Sequence, residues 1–362
     1  MTIAVRFGRG SVADKPLLVL GPSLGTSAST LWSAAADRLA DHFTILAWEL
    51  PGHGLDRSVP DAALSVADLA AGVLELVDEV GERRFHYAGD SVGGAVGLQL
   101  LLDAPDQALG AVRSVARGYA SGGWAPGDEA EAELGGYAAK GFTAAKMRVV
   151  GRDGFSIEKC VRRVKAARRG VGPDVELMVD AHGSLEVPVA IRLAEALAPY
   201  DIAWFEEPVS PENHRGQAEV RRATSIPIAS GEREFTRYGF QSLLQNDAID
   251  IAQPDVARAG GFTEIRRIAA LTSARDIRLA PHAWGSGILF AASIHVAMSA
   301  ANCHILEVSQ GYMPMMYGLF NEPFDITPDG NVHAPDRPGL GYTLRADALD
   351  RFKFVEGPEY AY

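Results

Sequence analysis

Residues 178–182 (Met-Val-Asp-Ala-His), 204–208 (Trp-Phe-Glu-Glu-Pro) and 229–233 (Ala-Ser-Gly-Glu-Arg) carry three acidic residues at equal intervals. Asp180, Glu206 and Glu232 are separated by two steps of 26 residues, and each follows a short, mostly apolar run. A strand, a turn, a helix and a second turn together need roughly 25 residues. The spacing therefore predicts one βα unit for each carboxylate.

Three carboxylates at the ends of neighbouring parallel strands predict a metal site. Strand ends on one face of a parallel barrel converge, so Asp180, Glu206 and Glu232 would repel one another unless a cation balances them. A set of oxygen ligands suits Mg²⁺, which also keeps positions for water and substrate oxygens. The alternative is that each acid caps the helix after its strand. That explanation fits one such residue more easily than three in register.

The same rhythm continues towards the C-terminus. Asp255, His282 and Glu307 follow at intervals of 23, 27 and 25 residues, each near the end of a strand-like run. Six consecutive runs thus place an ionisable residue at the predicted C-terminal end of a strand. Barrel enzymes carry their chemistry at that face, so the pattern predicts an active site there.

A basic pair precedes these acids in residues 142–149 (Phe-Thr-Ala-Ala-Lys-Met-Arg-Val). The two-residue period of a strand places Lys146 and Arg148 on one face. Most charge pairs of this kind are solvated, but a parallel strand that is buried on both faces has no solvated side. Inward-facing bases at this position indicate an anion to bind.

Composition narrows the class of protein. The 362 residues carry a net charge of −12, which argues against a nucleic-acid partner. We expect no membrane span, because the chain has no apolar run of about 18 residues, and the first residues lack a signal-peptide layout. Cys160 and Cys303 are predicted to be buried thiols, as in a cytoplasmic protein. We also expect a homo-oligomer.

The first third predicts a different fold. Apolar runs at 17–20, 43–48 and 85–88 lead to residues 89–94 (Gly-Asp-Ser-Val-Gly-Gly), which fit the Gly-x-Ser-x-Gly turn that exposes a serine hydroxyl. Residues 16–112 resemble the N-terminal half of α/β-hydrolases, most closely 3-oxoadipate enol-lactonases. The resemblance implies that Ser91 is a nucleophile. His53 and His86 precede Ser91 and do not fit the base position, so we interpret Ser91 as a relic.

From about residue 118 to the C-terminus the chain resembles the enolase superfamily, in its mandelate racemase and acid-sugar dehydratase branch. The matching motifs are Lys-Met-Arg at 146–148, Asp-Ala-His at 180–182, Phe-Glu-Glu-Pro at 205–208, Gly-Glu-Arg at 231–233, Gln-Pro-Asp at 253–255 with Gly-Gly at 260–261, Pro-His at 281–282 and Leu-Glu at 306–307. The motifs keep both their order and their spacing, so the resemblance is specific.

The resemblance implies a role for each residue. Asp180, Glu206 and Glu232 would hold Mg²⁺, Asp255 and His282 would form an acid/base dyad, and Glu307 would hydrogen-bond the enolate side. His182 matches a histidine that takes part in proton transfer in galactonate and mannonate dehydratases, although a capping or supporting role is equally open. Lys146 and Arg148 occupy the Lys-x-Lys position.

The expected reaction is dehydration of a small sugar acid. Mg²⁺ acidifies the α-proton of a bound carboxylate, and His282, oriented by Asp255, can remove that proton. His182 then helps the β-hydroxyl to leave, or the two histidines exchange roles. Arg148 stays protonated and is assigned to charge stabilisation, whereas Lys146 is a base only if its pKa is depressed. The product would be a 2-keto-3-deoxy acid.

The predicted fold class is α/β: a parallel (β/α) barrel of enolase-superfamily type, preceded by a partial, three-layer α/β-hydrolase-like segment. The predicted domains are residues 1–112, the barrel at 113–322, and a tail at 323–362 that is a remnant of the family's capping domain. The family's capping domain also has an N-terminal half, and we expect that half to be missing here. Two other functions stay open: a serine ester or enol-lactone hydrolase acting through Ser91, and a catalytically impaired fusion or scaffold protein.

Overall fold

The computed structural model describes residues 3–7, 15–58, 64–81, 85–103, 112–151, 154–311, 313–337 and 339–353. The chain divides into two compact units. The first comprises residues 1–112 and 336–341, and the second comprises residues 113–335 and 342–362. Residues 336–341 were not expected in the first unit from their place in the sequence. The assignment of residues 323–362 to a capping-domain remnant stays a prediction, and its last part lies outside the described residues.

The first unit contains a four-stranded sheet in the order β1-β3-β2-β4. The strands are β1 (Ala4–Phe7), β2 (Leu17–Gly21), β3 (Thr44–Trp48) and β4 (Phe85–Gly89). Strand β2 pairs in parallel with β3 and β4, whereas β1 pairs antiparallel with β3. The three predicted strands of this unit are therefore present. Strand β1 was not anticipated from the sequence.

Helices cover both faces of this sheet. They are α1 (Ala28–Leu39), α2 (Val66–Glu79) and α3 (Val92–Asp103). Successive side chains of a strand point to opposite faces. Leu18 accordingly packs in a cluster with Ala36 of α1, whereas Val19 packs in a second cluster with Val73 of α2 and Val96 of α3. The predicted three-layer arrangement of the hydrolase-like segment is confirmed.

The second unit is built on an eight-stranded parallel sheet in the order β12-β11-β10-β9-β8-β7-β6-β13. Its strands are β6 (Gly118–Gly122), β7 (Ala144–Arg148), β8 (Glu176–Asp180), β9 (Ile202–Glu206), β10 (Ile228–Ser230), β11 (Ile251–Ala252), β12 (Arg278–Leu279) and β13 (Leu306–Ser309). The amide of His304 donates to the carbonyl of Leu279 at 2.7 Å, which joins β12 to the segment before β13. The two ends of the sheet therefore meet, and the predicted barrel is confirmed.

Helices alternate with these strands. They are α4 (Ala130–Ala139), α5 (Ile157–Val171), α6 (Val187–Leu197), α7 (His214–Ala223), α8 (Thr236–Gln245), α9 (Gly261–Ser273) and α10 (Gly287–Ser299). Side-chain caps set several of their starts, because the first amides of a helix have no partner within it. Ser156 accepts from the amide of Lys159 at α5, and Ser286 accepts from the amide of Leu289 at α10.

The interior of the barrel is a packed core. One buried cluster draws a side chain from or next to each of the eight strands: Tyr119, Ala144, Met178, Trp204, Ala229, Ile251, Ala280 and Ile305. Large and small residues in such a layer fill the space between the strands, as in other barrels of this kind. This layer closes the barrel below the strand ends that carry the predicted site residues.

Two details of the predicted barrel are wrong. By their sequence, residues 114–119 can be a first barrel strand, but that strand is β6. Strand β5 (Val115–Ala116) instead pairs antiparallel with β14 (Val332–His333), and the chain changes partner at residue 117. Glu307 is the second residue of β13 and does not end its strand. Two short helices, α11 (Pro314–Tyr317) and α12 (Ala348–Arg351), follow the barrel.

Two expectations from composition are tested directly. Cys160 and Cys303 are both free and buried, as predicted. Among the described residues, no helix combines the length and the apolar character needed to cross a membrane.

Candidate active site

A cavity of about 640 Å³ opens at the C-terminal ends of the barrel strands. Seven of the predicted site residues line it: Lys146, Arg148, Asp180, His182, Glu232, His282 and Glu307. Glu206 and Asp255 are buried and contact lining residues from behind. The structure therefore brings all nine predicted barrel residues together in one region.

The strand ends explain how the three regularly spaced acids reach this region. Asp180 and Glu206 are the last residues of β8 and β9, and they pair in the sheet register. Glu232 follows β10 after Gly231, which has a φ of 134°. A Cβ at Gly231 would lie 2.6 Å from the ring of Phe240, so glycine is required for this turn.

Glu206 is held by three donors. Its Oε1 lies 2.6 Å from Lys146 Nζ, and its Oε2 accepts from Trp204 Nε1 at 3.0 Å and from Gln253 Nε2 at 2.7 Å. Burial nevertheless raises the pKa of Glu206, because desolvation outweighs the opposing charge of Lys146. Burial also raises the pKa of Asp180, because desolvation outweighs the opposing charge of Arg148.

Lys146 also contacts the last acid of the series. Its Nζ lies 3.1 Å from Glu307 Oε1, which accepts a hydrogen bond from Ser121 Oγ at 2.7 Å. Burial alone would lower the pKa of Lys146. The charges of Glu206 and Glu307 outweigh burial and raise that pKa well above its usual value. Burial alone would raise the pKa of Glu307. The charges of Lys146 and His282 outweigh burial and lower that pKa to about 2. In this environment Lys146 is a fixed cation rather than a base.

His282 and Asp255 form the predicted dyad. His282 Nδ1 lies 2.8 Å from Asp255 Oδ2, and His282 Nε2 lies 3.6 Å from Glu232 Oε2 and 4.0 Å from Glu307 Oε2. Burial by itself would lower the pKa of His282. The charge of Glu232, the hydrogen bond to Asp255 and the charge of Glu307 outweigh burial and raise that pKa to about 9.

His182 lies across the cavity in a left-handed conformation, with φ of 52°. Its amide donates to Asp180 Oδ1 at 2.6 Å, and its Nδ1 lies 3.6 Å from Glu232 Oε1 and 3.8 Å from Glu207 Oε2. Burial, followed by the charges of Arg148 and Arg233, lowers the pKa of His182 to about 3.

Arg148 and two tryptophans form the remaining wall. Arg148 Nη1 lies 3.1 Å from Asp180 Oδ2. The Cζ atom of the same guanidinium lies 4.9 Å from the centroid of the Trp124 ring. The rings of Trp124 and Trp284 contact each other edge to face at 6.4 Å, and both tryptophans line the cavity. A charged guanidinium at this wall suits an anionic ligand.

Sequence reasoning missed Glu207 and Arg233. Glu207 is fully buried, and burial followed by the charge of Glu232 raises its pKa to about 9. Arg233 Nη2 lies 3.3 Å from Glu207 Oε2. Both residues adjoin predicted ligands in the motifs Glu-Glu-Pro and Gly-Glu-Arg, and this adjacency was the available signal.

The donor set fits a divalent cation. Asp180, Glu206, Glu207 and Glu232 are buried acids, and burial raises the pKa of the first three, because their charged forms are poorly solvated there. One atom each of His182, Glu207 and Glu232 lie within 4.8 Å of one another. A hard cation such as Mg²⁺ prefers carboxylate oxygens. It would also offset Glu232, the acid that most strongly raises the pKa of His282.

Ser91 belongs to the first unit. It is exposed and has a φ of 52°, which is the strained turn expected between β4 and α3. All nine histidines of the chain fall within the described residues, and none of them is hydrogen-bonded to Ser91. His53, for example, contacts the carbonyl of Pro51 through Nδ1 at 3.1 Å. The structure thus gives Ser91 the expected turn without the expected base.

The fold and the site together define a class of protein, the parallel (β/α) barrels that carry acids and histidines at their strand ends. Residues 129–348, more than half of the chain, match the family described as enolase C-terminal domain-like. The chain belongs to this family. Residues 16–131 match the α/β hydrolase fold, so that part of the resemblance is confirmed as well. The finer resemblance to 3-oxoadipate enol-lactonases stays a prediction.

Several relatives are named for sugar-acid chemistry. The D-galactarolactone cycloisomerase of Agrobacterium fabrum is 38% identical over 60% of this chain and 58% of its own length. The D-galactonate dehydratase of Xanthomonas campestris pv. campestris is 31% identical over 74% of this chain and 76% of its own length. The chain spans about half to three-fifths of the length of several curated relatives that it matches.

Solved structures show the same architecture. The mandelate racemase/muconate lactonizing enzyme-like protein of Rubrobacter xylanophilus has a TM-score of 0.63 and 32% identity, over 69% of this chain and 72% of its own. The mandelate racemase/muconate lactonizing enzyme of Jannaschia has a TM-score of 0.62 and 31% identity, over 68% of each chain.

Proposed function

We propose that the barrel unit is an Mg²⁺-dependent lyase that dehydrates a sugar acid to a 2-keto-3-deoxy acid. The observation that carries this proposal is the His282–Asp255 pair at 2.8 Å, with His282 Nε2 facing the cavity acids. A second histidine, His182, lines the same cavity. A base and a separate acid are what elimination needs, because a proton leaves one carbon and a hydroxyl leaves the next.

Asp180, Glu206 and Glu232 are the residues proposed to hold Mg²⁺. All three residues are buried, and Asp180 and Glu206 adjoin in the sheet register. When bound, the metal would withdraw charge from the substrate carboxylate and so make the proton on the α-carbon more acidic.

His282 is the proposed general base. Asp255 accepts from Nδ1, which leaves Nε2 to take the proton from C2 of the sugar acid. The electron pair of the broken C2–H bond moves into the substrate carboxylate. Asp255 stabilises the imidazolium that results, as a buried carboxylate does beside a protonated histidine.

His182 is the proposed general acid. Burial and the nearby arginines lower its pKa in the ligand-free cavity, so it would take up its proton once the negative charge of the sugar acid lies beside it. The electron pair returns from the carboxylate to form a C2–C3 double bond, the C3–O bond breaks, and the leaving hydroxide receives a proton from His182 to depart as water. The resulting enol loses its hydroxyl proton and gains a proton at C3, which gives the 2-keto-3-deoxy acid. The net change is the loss of one water.

Three charged residues would bind and orient the substrate. Lys146, fixed between Glu206 and Glu307, is a buried cation beside the carboxylate that must be bound. Arg148 is held over the ring of Trp124 and supplies a second positive charge. Glu307 accepts from Ser121 and from the amide of Ala283 at 2.8 Å, so its carboxylate is oriented towards the reacting carbon's side of the cavity.

The names of the relatives support a small-molecule sugar-acid substrate. They include dehydratases of galactonate, xylonate and arabinonate, and cycloisomerases of galactarolactone and 3,6-anhydro-galactonate. Homo-oligomerisation and a cytoplasmic location stay predictions, as does the absence of a nucleic-acid partner.

The test is a dehydration assay across aldonic and aldaric acids with Mg²⁺, in which 2-keto acid is detected as its semicarbazone. We expect turnover of at least one acid, loss of turnover after the metal is chelated, and no detectable turnover by the His282→Asn variant. If the wild-type protein turns over no acid in the panel, the proposal is contradicted.

A second candidate is ester hydrolysis through Ser91, which the exposed, left-handed turn at this serine favours. A serine without a base is a weak nucleophile, so we expect an aryl ester to be hydrolysed equally by the wild-type protein and Ser91→Ala. A large loss in the Ser91→Ala variant would establish a hydrolase instead.

A further inference from the structure

The two cavity histidines are supported in different ways. His282 is oriented by the carboxylate of Asp255. His182 lies in a turn with φ of 52°, which costs energy for a residue other than glycine. Its side chain is one-third exposed to the cavity. A proton donor must nevertheless keep a fixed position, so the contacts that hold this turn decide whether His182 can act as one.

Two contacts hold the backbone of the turn from the neighbouring strand ends. The amide of Gly183 donates to the carbonyl of Glu207 at 2.7 Å. Arg233 Nη2 donates to the carbonyl of His182 at 3.2 Å. Glu207 follows β9 and Arg233 follows β10, so the turn after β8 is fastened to the next two βα units.

The guanidinium of Arg233 joins three groups. Besides the His182 carbonyl, it lies 3.3 Å from Glu207 Oε2 through Nη2 and 3.6 Å from Glu232 Oε1 through Nε. A planar guanidinium presents its donors in a fixed fork, so it sets the relative positions of the groups that it bridges. Lysine carries the same charge without that fork.

Glu207 completes the arrangement through its side chain. The residue is fully buried, and within the described residues neither of its carboxylate oxygens accepts a hydrogen bond. Its Oε2 lies 3.8 Å from His182 Nδ1 and 3.3 Å from Arg233. A buried carboxylate is costly unless a cation pairs with it, so Glu207 and Arg233 depend on each other.

We propose that Glu207 and Arg233 are positioning residues for His182, as Asp255 is for His282. This inference rests on the proposed dehydratase function. Arg233 and the backbone of Glu207 hold the turn of His182, and the Glu207 carboxylate lies on its Nδ1 side together with Glu232. The pair contacts His182 and not His282, so we expect its main effect on the elimination step. Glu232, which Arg233 also contacts, is common to both steps.

This separation of the two steps gives the experiment. In D₂O, removal of the C2 proton by His282 is measured as deuterium in the recovered sugar acid, and elimination is measured as 2-keto acid. Glu207→Gln and Arg233→Lys are expected to lower dehydration on the order of 10²-fold, the lower range for a general acid, while deuterium exchange stays within about threefold of the wild-type rate. The His182→Asn variant is expected to show the same pattern.

Arg237→Lys is the matched control, because Arg237 lies on the same segment and pairs with Glu264 at 2.6 Å. It should change neither rate. The double variant His182→Asn/Arg233→Lys should dehydrate no more slowly than His182→Asn alone, because residues that act through one group are not additive. All rates are measured at saturating Mg²⁺, and thermal unfolding checks that each variant is folded.

Three outcomes would overturn the inference: equal loss of exchange and elimination in Glu207→Gln, full retention of both, or loss of Mg²⁺ binding, which would make Glu207 a ligand. These results differ from failure of the proposed function itself. In that case the wild-type protein shows neither exchange nor 2-keto acid with any sugar acid.

Discussion

His282 Nδ1 lies 2.8 Å from Asp255 Oδ2, and the two residues pair directly across neighbouring strand ends of the barrel. The pairing fixes which imidazole nitrogen is available to the cavity, because Nδ1 is committed to the carboxylate. A base and its orienting acid thus come from two adjacent βα units, and backbone hydrogen bonding sets their register.

Substitution of Asp255 by asparagine should leave the fold intact and remove the charge that stabilises the imidazolium. We expect the dehydration kcat to fall on the order of 10²- to 10⁴-fold, the range for general acid–base catalysis. Asp250→Asn is the matched control, because Asp250 pairs with Arg221 at 2.7 Å and does not line the cavity. Similar rates for the two variants would remove Asp255 from the mechanism.

Substitution of Lys146 by methionine should destabilise the metal-free protein by about 3–5 kcal/mol, because Glu206 and Glu307 would lose the cation between them. The measurement is the free energy of unfolding in guanidinium chloride with Mg²⁺ chelated. Lys165→Met, at an exposed position of α5, should change this free energy by less than about 0.5 kcal/mol. A Lys146 variant as stable as the Lys165 variant contradicts the expected charge balance.

The buried side chain of Arg163 ties α5 to the loops after β6 and β7. It donates to the carbonyls of Gly123, Ala125, Arg148 and Val149 at 2.6–3.2 Å.

Arg163→Lys should therefore cost at least about 2 kcal/mol in unfolding free energy, because several buried carbonyls would lose their donor. The neighbouring Arg162→Lys should cost less than about 0.5 kcal/mol, since Arg162 pairs with Asp128 at the surface. Equal unfolding free energies for the two variants would show that these hydrogen bonds do not stabilise the loops.

The thiol of Cys303 should react slowly in the native protein. Burial raises its pKa from the ordinary 9.0 to about 12, and the thiolate is the reactive form. Because the folded pKa is the higher one, this thiol favours folding below pH 9.0, and the contribution is lost as the pH rises through about 12.

In a Cys160→Ala background, modification by a disulfide reagent at pH 8 should be at least about 10²-fold slower before unfolding than after it, since both accessibility and the thiolate fraction are reduced. A native rate within tenfold of the unfolded rate would mean that Cys303 is accessible.

Much of the barrel could be predicted because its signals are periodic. The equal spacing of Asp180, Glu206 and Glu232 corresponds to consecutive βα units, and Asp255 and His282 continue the same series. From β8 to β12, a change from apolar residues to an ionisable one marked the strand end, so even the two-residue strands β11 and β12 were located.

Other parts depend on contacts between distant residues, which no local pattern records. The antiparallel pairing of β5 with β14 joins residues more than 200 positions apart and moved the start of the first barrel strand. Glu207 shares a motif with Glu206, but its burial and its contacts with His182 and Arg233 follow from the left-handed turns at these strand ends.

The position of the metal ion tests the central claim most directly. Mn²⁺ can replace Mg²⁺ in crystals, and its anomalous scattering locates the ion independently of any assumed ligand. We predict one peak bounded by carboxylate oxygens of Asp180, Glu206 and Glu232, with His282 across the cavity from it. A peak held instead by His182, Glu207 and Glu232, or no peak in this cavity, would contradict the proposed site.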